Sequence, residues 1–197
     1  MQLASAQLGM DFSVSWKPFF LDERLPGGEG KPKMDHYQAK FGPERVQQML
    51  PRMVQTFADE GIPGYSLDGR IGNTLDSHRL LEYALIKGGA QKQDQLVEVL
   101  FDRYFLRGQP LSSKEVLLEA AAAADLEGAE ALLSGGELSD DVWSKVESAH
   151  DEGVSGVPHF RIDGGGRGKE VSGGQVPEVF MEIFTSLSRT APGAPSA

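Results

Sequence analysis

Cysteine does not occur anywhere in this 197-residue chain. That one absence excludes disulfides, thiolate nucleophiles and thiolate metal sites. Histidine is nearly as scarce. His36, His78, His150 and His159 are the four, and no two stand at a spacing such as H-x-x-x-H that would bring a pair of imidazoles to one metal. No metal site is expected. Positive charge is also short, with 19 Lys and Arg against 29 Asp and Glu and a net charge of −10. Phosphate binding along a nucleic acid needs a basic surface, so a nucleic-acid partner is excluded. An anionic membrane surface is disfavoured on the same ground. No apolar run reaches the roughly 18 residues of a membrane span. The start, Met1–Gln7, holds no basic residue and no sustained apolar block, so Ala4-Ser5-Ala6 is not read as a leader cleavage site. A cytoplasmic location is expected.

What is present fits an ordinary soluble globular protein, with 40% hydrophobic and 24% charged residues. The length allows one domain with a large core, or a small domain carrying an inserted one. Phe12, Val14 and Trp16 alternate with Ser13, Ser15 and Lys17. This period of two predicts a strand over Asp11–Trp16, stopped by Pro18. Leu25–Pro32 reads as a loop by composition.

From about Met34 to Asp151 the pattern is helical. Pro43 suits a first helical position, and Val46, Met49, Leu50, Met53, Val54 and Phe57 follow at helical spacing. Pro51 interrupts them, which predicts a kink or two short helices. Gly61-Ile62-Pro63-Gly64 stops the run. Asn73 is placed to cap the next helix, which Gly88-Gly89 ends. Leu96 to Phe105 marks a third helix. Ser112-Ser113-Lys114-Glu115 has capping-box spacing and opens an alanine-rich fourth. Trp143 and Val146 sit on a last one. The period then changes. Pro158, Phe160 and Ile162 alternate with polar residues and predict a strand over Pro158–Asp163. Asp163–Gly168 is a glycine-rich hairpin loop and Lys169–Ser172 the return strand. Pro177 opens a final helix with Val179, Phe180, Ile183, Phe184 and Leu187 as its apolar stripe. Residues 190–197 form a tail with nothing to bury.

Four pieces in this order resemble the DsbA-like thioredoxin-fold family: Ser15-Trp16-Lys17-Pro18-Phe19, Asn73-Thr74-Leu75-Asp76-Ser77-His78-Arg79, Gly153–Phe160 and Val171-Ser172-Gly173-Gly174-Gln175. The branch is similar to the FrnE-type oxidoreductases, with 2-hydroxychromene-2-carboxylate isomerases and kappa-class glutathione transferases as relatives. The resemblance implies an α/β, thioredoxin-like fold with an all-helical insertion, in which the first strand and the redox turn are missing. Residues 10–33 and 152–189 would form the thioredoxin-like subdomain and 34–151 the helical insertion. Gln2–Leu8 would be the tail of the helix that follows the family's Cys-Pro-x-Cys turn. The missing strand is the one that lies between Asp11–Trp16 and Pro158–Asp163 in the family's sheet. Its absence leaves ladder groups unpaired. Three accounts stay open: a shortened chain, a sheet completed by another chain or by oligomerisation, or an extended Met1–Gly9 in the vacant slot.

The resemblance also implies where a substrate would bind. A cis Val157–Pro158 bond would turn the Val157 backbone outward to pair with an extended peptide or with glutathione, by strand addition. Asn73 and His78 open a helix whose N–H groups are suited to a carboxylate such as glutathione's. Helix capping alone also accounts for Asn73, and a half-buried helix position accounts for His78. Gly173, Gly174 and Gln175 form a turn before a helix. They are either an anion site for the γ-glutamyl end of glutathione or simple turn chemistry. His159 and Arg161 place polar residues where a strand covered on both sides would be apolar. They mark either a wet sheet face or a pocket. By resemblance the chain is a disulfide oxidoreductase of the DsbA/FrnE type. Without a thiolate it is predicted inactive in dithiol–disulfide exchange, and no catalytic residue is assigned. The alternatives are a glutathione-dependent isomerase or transferase, with glutathione as a possible cofactor, and a non-catalytic peptide-binding or partner-binding module. The expected ligand is a peptide, a protein or a glutathione-like thiol.

Overall fold

The structure is a computed structural model and describes residues 2–62, 64–66, 68–164 and 166–188. Pro63 of the expected helix stop, Gly165 of the expected loop and the expected tail lie outside these residues. The elements run α1 (Gln2–Leu8), β1 (Lys31–Pro32), α2 (Lys33–Phe41), α3 (Pro43–Asp59), β2 (Arg70–Ile71), α4 (Leu75–Phe101), a π-helical turn (Asp102–Leu106), α5 (Lys114–Ala123), α6 (Ala129–Ser134), α7 (Ser139–Asp151), β3 (His159–Gly164), β4 (Arg167–Ser172) and α8 (Pro177–Ser188). They form two compact units, Val14–Val146 and Met1–Ser13 with Glu147–Ala197.

The larger unit is built on the faces that α4, α5 and α6 turn to one another. Leu80, Ala84, Leu96 and Leu100 of α4 meet Leu117, Ala120 and Ala121 of α5, with Leu132 and Leu133 of α6. The alanines let these helices approach closely, and the leucines fill the seam. Glycine breaks α4 where the sequence predicts: Gly88 (φ −141°) and Gly89 (φ +69°) leave the helical region. Gly89 needs this freedom, because a side chain at that φ is strained. α3 runs through Pro51 as one helix. α5 opens at Lys114 as expected, but Ser113 makes no side-chain cap. The hydroxyl of Ser112 donates instead to the carbonyl of Gly28 at 2.7 Å.

The strand expected over Asp11–Trp16 does not form; residues 9–20 belong to no helix or strand. The reason is visible at Trp16. Its backbone N–H donates to Gln93 Oε1 at 2.8 Å, and its carbonyl accepts from Gln93 Nε2 at 3.0 Å. One fully buried side-chain amide thus takes both hydrogen bonds that a neighbouring strand would have supplied. The indole N–H donates to Asp94 at 2.9 Å. Residues 14–33 fall in the larger unit, Val14–Val146. Phe20 packs on Trp143 with ring centres 4.8 Å apart, beside Val142 and Val146 of α7.

In the smaller unit β3 and β4 form an antiparallel hairpin with His159 opposite Ser172 and Gly164 opposite Arg167. α8 covers one face: Phe180 meets Phe160 at 4.9 Å, and Leu187 lies against Gly164. Phe12 stacks on Phe184 at 4.7 Å. α1 is helical, so the account in which Met1–Gly9 is extended does not hold. It packs against α8 and buries Ala4.

Candidate functional site

The Gly173 N–H donates to the Pro158 carbonyl at 2.8 Å. This bond unites two of the expected site segments, Val157–Pro158 and Gly173–Gln175, at the mouth of the β-hairpin. Gly173 takes φ +81°, the left-handed conformation that lets the chain turn out of β4. Gln175 closes the turn by donating from Nε2 to the Ser172 carbonyl at 3.1 Å. Gly174 has open space around it. Val157 is 48% exposed, although it is a large apolar residue, and the Val157–Pro158 peptide is cis.

The same bond fixes the direction of every backbone group in β3. Pro158 and Gly173 are directly opposed and hydrogen-bonded, so in an antiparallel ladder Phe160, Ile162 and Gly164 also bond toward β4. The backbone groups of His159, Arg161 and Asp163 therefore point to the outer edge. Among the described residues β3 pairs with β4 alone, so that edge is open.

The face of the hairpin away from α8 carries charge. His159 Nδ1 is 2.9 Å from Ser172 Oγ, and its Nε2 lies 3.8 Å from Glu170. Arg161 holds Glu152 and, through Nε, Glu170 at 3.1 Å. A hydrogen bond from Ser148 and the Arg161 guanidinium keep the Glu152 carboxyl below its ordinary range. Of the two readings, the wet face describes Arg161, whose side chain is 40% exposed, while His159 is 13% exposed and its Nε2 is buried without a hydrogen bond. The Glu152 and Glu170 partners escape sequence reasoning, although the Arg161–Glu170 cross-strand pairing follows once the hairpin register is known.

Asn73 and His78 belong to the other unit, and both side chains are hydrogen-bonded within it. Asn73 Oδ1 accepts from the Leu75 N–H at 2.8 Å, while Nδ2 donates to the Glu23 carbonyl at 3.1 Å. It caps α4 from one residue before the helix boundary and pins the 20s loop to that helix. His78 Nε2 is 3.2 Å from the Phe19 carbonyl, and the ring lies 5.6 Å from Phe20. Burial pushes its pKa down to about 4, against the pull of that carbonyl, so the ring is neutral and donates.

Arg79 has a role that the sequence does not announce. Its guanidinium donates to the carbonyls of Leu132, Gly135 and Glu137, each at 2.7 Å, and to Asp76 at 2.6 Å. It closes the C-terminus of α6, where the last carbonyls of a helix have no partner of their own. No group of three or more His, Cys, Asp or Glu arranged for a metal occurs among the described residues, nor does a helix long and apolar enough to cross a membrane.

A model of the DSBA-like thioredoxin domain matches residues 1–184. No curated protein matches the chain. The crystal structure of a probable DsbA oxidoreductase from Streptomyces coelicolor is similar, with a TM-score of 0.77 and 27% identity over 92% of this chain and 77% of that one. A hairpin entered through a Val-Pro segment, a closing helix and a helical unit in the middle of the sequence agree with that match, and the chain belongs to the DsbA-like thioredoxin-domain family.

Proposed function

We propose that this chain is a thiol-free member of its family that docks extended polypeptide along Val157 and the outer edge of β3 and carries out no dithiol exchange. The observation that carries this reading is the alternation along β3. Val157 is exposed, and the backbone groups of His159, Arg161 and Asp163 face outward without a ladder partner among the described residues. An edge of this kind is what strand addition uses: main-chain bonds supply affinity and alternate side chains supply selectivity. A segment of a partner chain meets the same chemistry as a free peptide, so a non-catalytic binding module is one function whether the strand comes from a substrate or a subunit. The four motifs support a reading within the FrnE-type branch.

The engaged state of this helix start supports this reading over a glutathione-dependent isomerase or transferase, since the Leu75 N–H already donates to Asn73 Oδ1 and both side chains are hydrogen-bonded within the helical unit. Dithiol exchange needs a thiolate to attack the disulfide, and the sequence contains none. Reduction of insulin by dithiothreitol, followed by turbidity, tests the catalytic half of the proposal. The expected rate equals that of dithiothreitol alone, and acceleration by the purified chain contradicts it. Anisotropy of a fluorescent, cysteine-free extended peptide tests the docking half. Saturable binding is expected, and none at a Kd of about 1 mM or tighter contradicts it.

A further inference from the structure

A groove of about 450 Å³ lies in the helical unit, between the loop at Asp22–Arg24, β1 and α2. Its lining is unusual for a chain with a net charge of −10. Arg24, Lys31 and Lys40 bring three permanent cations to it, and Asp22 brings one carboxylate. That carboxylate is occupied: Asp22 Oδ1 accepts the Arg24 backbone N–H at 3.1 Å and its Nε at 3.2 Å. Lys31 and Lys40 form no ion pair with any described residue. Between them stands His36, only 7% exposed, with neither ring nitrogen hydrogen-bonded to a described residue. Lys40 Nζ lies over the Phe41 ring at 5.7 Å, and neither lysine has a carboxylate partner among the described residues, so a negative group joining this imidazole and these ammonium groups is electrostatically favoured.

We propose that this groove binds a small phosphate-bearing molecule, held by Lys31, Lys40 and Arg24, with His36 as a hydrogen-bond donor to the phosphate. The cations arrive from three separate elements, as fits an anion with oxygens pointing in several directions; lysines serve such an anion as point charges. The volume falls in the range of small-ligand sites, about 300–1,000 Å³. The groove also holds the signature an anion would reverse. Burial, and then the charges of Lys31 and Lys40, push the His36 pKa down, and Asp22 alone opposes them. Charged and titratable groups face His36 from its own helix (Lys40), from β1 (Lys31) and from the loop (Asp22), so a bound dianion adds the negative charge they lack.

NMR titration of the His36 ring protons in the full chain, in inorganic phosphate and in chloride of matched ionic strength, is the test. Saturable phosphate binding with a Kd on the order of 1 mM or tighter, accompanied by a rise in the His36 pKa, is expected. The double variant Lys31→Ala/Lys40→Ala is expected to weaken binding at least about tenfold while leaving the helical circular dichroism unchanged. Lys31→Arg/Lys40→Arg should restore it. A His36 pKa identical in the two salts overturns the proposal, and so does an alanine variant that binds phosphate as well as the parent.

Discussion

Lys33 shows how much one buried side chain can decide. It is 1% exposed, and its Nζ lies 4.0 Å from the centre of the Tyr104 ring and 3.3 Å from the Tyr104 carbonyl. It forms no ion pair with a described residue. The ring face compensates part of the cost of burying the charge, by up to about 2 kcal/mol when desolvated, but burial still pulls the ammonium down to about 8 from its ordinary 10.5. The folded pKa is below the unfolded one, so between those values the unfolded chain binds the extra proton. Stability therefore rises as pH climbs from about 8. Tyr37, pushed up to about 12 by burial, acts in the opposite sense once pH passes its ordinary value of 10. Lys33→Met keeps the aliphatic volume and removes the charge. It is expected to raise stability at neutral pH by about 1–2 kcal/mol and to flatten the rise above pH 8. Urea unfolding across that range checks both.

At the scale of elements, Gln93 gives Trp16 both of the backbone hydrogen bonds that a strand neighbour would have given that residue. Gln93→Ala removes both of its bonds to Trp16 and leaves a backbone N–H and a carbonyl without partners. It should cost about 2–4 kcal/mol, much more than a surface substitution, and Gln93→Glu should recover only the half that accepts from the Trp16 N–H. Equilibrium unfolding measures it. The same residue explains what could be read in advance and what could not. The alternation Phe12-Val14-Trp16 is a local pattern, and Phe12 and Val14 are half-buried between exposed Asp11, Ser13 and Ser15. Whether the segment becomes a strand depends on a partner, and the partner is an amide 77 residues away. The terminal hairpin, α8 and the Gly88-Gly89 break were legible because glycine, proline and periodicity act over a few residues, whereas the helical α1 was expected only from the family resemblance. The task of Arg79 was not, since the carbonyls it closes are 53 to 58 residues distant. The groove around His36 escaped for a similar reason: its cations are scattered among an excess of acids in the sequence and meet only where the loop, β1 and α2 fold together. Of the site, the link between Pro158 and Gly173 joins two segments singled out from motif alone, and Asn73 and His78 make the hydrogen bonds of a helix cap and a buried helix residue.

For the molecule as a whole, acid is the sharper stress. His78 is held neutral, with its pKa at about 4 against an ordinary 6.5. Between those values the unfolded chain takes up a proton that the folded chain refuses, so stability falls as pH drops through this window, by on the order of 3 kcal/mol in all. Asp22 and Glu152, whose pKa values are also lowered, lose their stabilising interactions at lower pH. His78→Phe isolates the histidine: its unfolding free energy should vary much less between about pH 6.5 and 4 than that of the parent, and an unchanged dependence would refute the assignment.

The family fold persists here in a sequence without cysteine, and its β3 pairs on one side only among the described residues. Residue-resolved hydrogen exchange along β3 tests its outer edge most directly. The alternating ladder predicts slow exchange at Phe160 and Ile162 and fast exchange at His159, Arg161 and Asp163 in the free chain, with the fast set becoming protected when an extended cysteine-free peptide is added. Protection that is uniform along β3 in the free chain, or a fast set that the peptide leaves unchanged, would contradict the account.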